Sequence, residues 1–204
     1  MEIIMVILYE VHNNLYVNMT NKCPCACTFC LRQTRDEMNG SGSLWLEREP
    51  TTPEVKAEFE KFDMTKYGEV VFCGFGEPTE RLSDMLDVCK FIKDTYKKQV
   101  RVNTNGLSDL INGRDTAPEF KGVVDTVSIS LNTPNPERYL ELTRSKFGIQ
   151  SFDAMIRFAQ NVKKYVPNVV LSTVSTTLTE DEENQCAAIC DRIGVTYRIR
   201  PFED

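Results

Sequence analysis

The chain has 204 residues, of which 41% are hydrophobic and 26% charged, with a formal net charge of −6. That is enough apolar material for a sizeable core, and no stretch approaches the roughly 18 apolar residues of a membrane span. The acidic balance argues against broad, non-specific nucleic-acid binding, which needs a basic footprint.

The chain opens on Met1-Glu2 rather than on a basic signal-peptide start, so a cytoplasmic protein without membrane association is expected. The apolar run Ile3–Tyr9 and the strand candidate Leu15–Thr20, with Asn13-Asn14 between them, are compatible with an N-terminal β-hairpin. Next comes a cluster: four of the eight cysteines fall between positions 23 and 30. In a reducing compartment, clustered cysteines read as metal or redox groups rather than as disulfides. Cys23, Cys27 and Cys30 have the spacing C-x3-C-x2-C. One loop of that spacing can wrap a cluster, with one thiolate per iron, and three ligands leave the fourth iron of a 4Fe–4S cube open. Zinc is the competing occupant. It favours separated C-x2-C pairs or histidine partners, whereas only Cys27/Cys30 has that spacing and His12 is the sole histidine. Cys25 lies off the register and reads as a bystander, with a substrate-facing thiol or an alternative ligand as the other readings. Residues 31–50 form a long, glycine-containing loop suited to covering a site or meeting a reductase, with Trp45 and Leu46 as packing anchors.

From there, strand-like and helix-like segments alternate. Val55, Phe59 and Phe62 mark a helix, and the strand Glu69–Cys73 runs into Gly74-Phe75-Gly76-Glu77-Pro78. Leu82, Met85, Leu86, Cys89 and Ile92 keep helical spacing before the strand Gln99–Thr104. Strands Asp125–Leu131, Asn168–Thr176 and Val195–Pro201 follow. Helices carrying Phe152, Met155, Ile156, Ala159 and Val162, and then Cys186, Cys190 and Ile193, lie between them. Thr51/Glu54 and Thr179/Glu182 have the form of N-terminal capping boxes. Six strands separated by helices predict an α/β fold with a parallel sheet and right-handed crossovers. An eight-fold barrel takes about 250 residues. A partial (β/α)6 TIM-like barrel, one domain over 1–204 with a cysteine loop at 21–31, fits this length better. Strand alternation puts Asn103, Asn105, Ser128, Ser130 and Asn132 on faces opposite Val102, Ile129 and Leu131, so a polar interior is expected. Arg198 and Arg200 share one face of the last strand. They suit an anion such as a carboxylate or phosphate, the alternative being a surface pair with Glu203 or Asp204.

C-x3-C-x2-C with an aromatic, Phe29, before the last cysteine resembles the signature of the radical S-adenosylmethionine (SAM) superfamily. Gly74-Phe75-Gly76-Glu77 resembles its "GGE" segment, and Thr104-Asn105-Gly106 and Ser130-Leu131-Asn132 end the third and fourth strands as the family pattern expects. Leu15-Tyr16-Val17-Asn18 and Leu44-Trp45-Leu46 look most like the TatD-associated radical SAM proteins. The resemblance implies a 4Fe–4S cluster on Cys23, Cys27 and Cys30, with SAM chelating the open iron. Reductive cleavage would then give a 5′-deoxyadenosyl radical that abstracts a hydrogen atom from a substrate. It implies that Phe29, Gly74, Phe75, Gly76 and Glu77 border SAM, that Asn105 and Ser130 meet its carboxylate or ribose, and that Asn103, Ser128 and Asn132 are second choices. Glu77 can equally hold the turn by accepting backbone hydrogen bonds. The implied partners are a low-potential donor such as flavodoxin or ferredoxin and a TatD-type nuclease. A non-catalytic iron–sulfur carrier or sensor is the alternative.

Overall fold

The computed structural model describes residues 5–201. Among them a seven-stranded sheet runs in the order β1 to β7. β1 (Leu8–Val11) and β2 (Asn14–Val17) pair antiparallel, which is the hairpin anticipated above. Its turn lies one residue earlier than expected. Val11 pairs with Asn14, so the connection is His12-Asn13, and His12 takes the left-handed conformation at φ +52°. Ile3 and Ile4 of the anticipated first strand lie outside the described residues.

From β2 onward every pairing is parallel, through β3 (Glu69–Phe72), β4 (Gln99–Thr104), β5 (Thr126–Ser130), β6 (Asn168–Val174) and β7 (Thr196–Arg200). Six parallel strands in chain order form the partial barrel. Its connections carry α1 (Thr52–Glu58), α2 (Leu82–Tyr96), α3 (Ser108–Asn112), α4 (Pro136–Thr143), α5 (Gln150–Val162) and α6 (Glu180–Ile193). Both capping boxes form: the Thr51 and Thr179 side chains accept from Glu54 N and Glu182 N, and each glutamate reaches back. α4 was not anticipated, although Asn135-Pro136 announces it. Asn135 Oδ1 caps Arg138 N at 2.8 Å, and proline occupies the first turn.

The core lies between the sheet's outer face and the helices. Phe72, Val102, Ile129 and Leu171 meet Phe59, Met85, Met155 and Phe158, all fully buried. Each such side chain contributes about 1.5–3 kcal/mol by leaving water. The opposite face is mostly polar, so polar groups reach the lumen without being sealed into the core.

Candidate functional site

The cysteine loop follows β2, at the carboxyl ends of the parallel strands, where folds of this topology assemble their sites. Residues 21–30 contain no helix or strand, so their backbone groups need partners from elsewhere. α4 supplies them on one side: Ala26 N donates to Thr143 O and Thr28 N to Leu142 O, both at 2.9 Å, and just beyond α4 Lys146 N donates to Pro24 O at 2.9 Å. On the other side Glu77 N donates to Lys22 O at 2.8 Å. Arg32, in a 3-10 turn over Leu31–Gln33, bridges Cys25 O at 3.2 Å and Phe75 O at 3.4 Å. The loop is thus clamped between α4 and the turn after β3.

Cys23, Cys27 and Cys30 are half-buried on this loop, and Cys25 is buried beneath them. The Cys25 thiol sits between Cys23 and Cys27 in sequence and interacts with both. That interaction lowers the pKa of Cys23 and Cys27 and raises that of Cys25. Burial raises Cys30. Asn105 Nδ2 approaches Cys25 Sγ at 3.9 Å. The Tyr139 hydroxyl, on α4, is buried with no hydrogen-bond partner; burial raises its pKa, and the charges of the loop cysteines and Glu77 add to that rise. Among the described residues, no three His, Cys, Asp or Glu side chains converge on one point as a single ion would require. A cube takes one thiolate per iron and needs its ligands spread around it. Three half-buried thiols on a clamped loop, with a partnerless hydroxyl on the helix that clamps it, suit such a cluster.

Glu77 has the structural role considered above. It is 4% exposed, and its carboxylate accepts from Thr79 N (3.1 Å), Thr79 Oγ1 (2.8 Å), Thr104 Oγ1 (2.7 Å) and Asn105 N (2.8 Å). Burial raises its pKa against the pull of those four hydrogen bonds. The carboxylate therefore ties the turn after β3 to the end of β4. The glycines of that turn are required by close approach rather than by positive φ. A Cβ on Gly76 would stand 2.2 Å from Thr20 O, and one on Gly74 would stand 2.2 Å from Asn18 Oδ1. Phe75 is buried against Trp45, with ring centroids 5.0 Å apart, and Leu44 and Leu46 are buried nearby. Residues 31–50 therefore pack over Phe75 and the hairpin. Phe29, expected beside SAM, is 43% exposed.

The polar inner face is in place. Asn103 pairs with Ser128, and Ser130, Ser172 and Arg198 form one row across β5, β6 and β7. Burial raises the pKa of the Cys73 thiol against the pull of Asn103, Arg101 and Arg200, while Arg198 is solvent-exposed. Asn132 is buried in the left-handed conformation at φ +64° and donates its N–H to Ser172 O at 3.3 Å, so its backbone shapes the end of β5. Asn105 spends its side-chain oxygen on Leu107 N at 2.9 Å and its amide on Cys25. The buried Oδ1 atoms of Asn18 and Asn103 have no partner.

Three site residues escaped the sequence reading. Asn18 anchors the loop over residues 31–50 through Nδ2 to Leu44 O at 2.8 Å, and its place on the polar side of the first strand was the available signal. Arg32 and Tyr139 act through contacts distant in sequence and carried none.

Residues 17–189 match the family model described as the radical SAM superfamily. A probable GTP 3′,8-cyclase of Thermococcus kodakarensis is 29% identical over 93% of this chain and 57% of its own length. One from Methanocaldococcus jannaschii is 32% identical over 66% of this chain and 41% of its own length. The chain thus spans about half the length of the curated relatives it matches. These relatives carry the cyclase name, and the TatD-associated subgroup is not shown by them. Among solved structures, a radical SAM methyltransferase from Sphaerobacter thermophilus superposes with a TM-score of 0.66 at 16% identity, covering 95% of this chain and 57% of that one. SuiB of Streptococcus suis, bound to SAM, gives 0.65 at 16% identity, covering 93% and 38%. At such identities the likeness shows the fold.

Proposed function

This chain belongs to the radical SAM superfamily, whose members use a 4Fe–4S cluster and SAM, and from that premise we propose that Cys23, Cys27 and Cys30 hold the cluster of a hydrogen-abstracting enzyme. Together the cluster and SAM supply one-electron cleavage of a carbon–sulfur bond and removal of a hydrogen atom from the substrate. A low-potential donor such as flavodoxin or ferredoxin provides the electron.

The residues of this chain orient and shield. The turn Gly74–Glu77 offers backbone groups to the methionine end of SAM, and Glu77 holds that turn rigid from behind. Asn103, Ser128 and Ser130 line the lumen with donors and acceptors for the remaining polar groups of SAM. Phe75, Trp45 and Leu44 cover one flank and exclude water there. Arg198 and Arg200 give the last strand an anion-binding character. Together with the cyclase names of several relatives, this favours a nucleotide such as GTP as substrate.

The observation that carries this reading is the clamped cysteine loop, joined through Lys22 and Glu77 to the turn after β3. The test is anaerobic reconstitution with iron and sulfide, followed by SAM, dithionite and GTP, with 5′-deoxyadenosine read by mass spectrometry. Formation of 5′-deoxyadenosine in the wild type and its absence in Cys27→Ala are expected. A reconstituted cluster whose reduced EPR signal is unmoved by SAM would mark an electron carrier instead. Turnover that GTP does not accelerate would remove the nucleotide assignment while leaving the class intact.

A further inference from the structure

We infer that the Tyr139 hydroxyl is a hydrogen-bond donor reserved for the sulfur atoms of the loaded cluster, which makes Tyr139 a residue that positions and tunes the redox centre. The inference rests on the assignment of the cluster to the cysteine loop.

Tyr139 lies on α4, four residues before Thr143, so the two share a helix face. Thr143 O and Leu142 O hold the loop backbone at Ala26 and Thr28, which places Tyr139 one turn beneath the loop. Its ring is fixed by edge-on packing against Phe152, with centroids 5.6 Å apart at 72°. The side chain is 1% exposed, yet its hydroxyl has no hydrogen-bond partner. Burial raises its pKa, and Cys25, Cys27, Glu77 and Cys23 add to that rise, which puts the cysteine loop in its electrostatic surroundings.

A buried hydroxyl without a partner is a cost that packing alone gives no reason to keep, since phenylalanine would fill the same space. The Glu77 carboxylate accepts from Thr79, Thr104 and Asn105 and makes no bond with the Tyr139 hydroxyl, and Cys25 Sγ is met by Asn105 Nδ2. What remains in that direction is the sulfur of the cluster and its thiolates, which are acceptors once iron is bound. A donor to those sulfurs stabilises the reduced, more negative cluster and raises its potential.

The experiment compares wild type with Tyr139→Phe in two states. In the metal-free protein the substitution removes an unsatisfied polar atom, so Tm should stay level or rise by roughly 2–4 °C. In the reconstituted protein, with equal iron content, the midpoint potential of the cluster should move to more negative values and the EPR spectrum of the reduced state should change. Cys25→Ala serves as the control for a hydroxyl that merely meets the thiol: in that background Tyr139→Phe should still lower the potential. An unchanged potential in Tyr139→Phe at full iron content overturns the inference and leaves the cluster assignment standing. Failure of the wild type to assemble any cluster overturns both.

Discussion

Two pairs of cysteines in this molecule share one spacing and differ in everything else. Cys23 and Cys27 are four residues apart on an irregular loop, and Cys186 and Cys190 are four apart on α6. On the helix that spacing stacks both thiols on the buried face, where each is fully inaccessible among apolar neighbours. On the loop it leaves two half-buried thiols flanking a third, with Cys30 further along and polar groups from β4 and α4 close by. Burial raises Cys186 to about 12 and Cys190 to about 11, so both persist as neutral, inert thiols. Spacing alone therefore does not make a ligand. An irregular backbone held from outside, at the open end of the sheet, does.

The largest test of this contrast is removal of one cysteine from each pair. Cys27→Ala should abolish cluster iron and lower SAM cleavage by several orders of magnitude, read by iron analysis and 5′-deoxyadenosine formation. Cys190→Ala should leave both unchanged. Loss of iron in Cys190→Ala would erase the distinction between the two pairs. Thiol alkylation sharpens the same contrast without mutation. In metal-free, folded protein at pH 8, Cys23, Cys27 and Cys30 should react with iodoacetamide on the order of 100-fold faster than Cys186 and Cys190, by peptide mass spectrometry. Glu77→Ala probes what holds the loop's frame. It strands the buried N–H groups of Thr79 and Asn105 and should cost about 3 kcal/mol in urea denaturation, with weaker retention of iron. A variant of wild-type stability and full iron content would mean that the four hydrogen bonds contribute little. The smallest effect belongs to the core pair: Cys186→Ala should cost about 1 kcal/mol as a small packing loss, with no effect on cluster content.

Much of this architecture is legible in the residue pattern. The strand Gln99–Thr104 matches its expected limits, the others differ by only a few residues at their ends, and both capping boxes form as read. These features depend on neighbours within one turn or one pleat, so a linear reading suffices. α4 was also announced, by Asn135-Pro136, but its short apolar pattern kept it from being read. The roles of Glu77, Asn18 and Tyr139 follow different physics. Glu77 reads equally as a residue bordering SAM or as a holder of its turn, and only the fold shows that Thr104 and Asn105, at the end of another strand, use its lone pairs.

By itself the sequence determined the alternation of strands and helices, the polar and apolar faces of each strand, the helix caps and the cysteine loop, because each is written in local periodicity and spacing. Only the tertiary structure decided that α4 clamps that loop, that Gly74 and Gly76 are required by the backbone and Asn18 pressed against them, and that the Tyr139 hydroxyl on α4 is buried without a hydrogen-bond partner. Those outcomes depend on which carbonyl, thiol or side chain lies opposite once the sheet has curled, and contacts between residues as far apart as Thr28 and Leu142 leave no trace in local sequence.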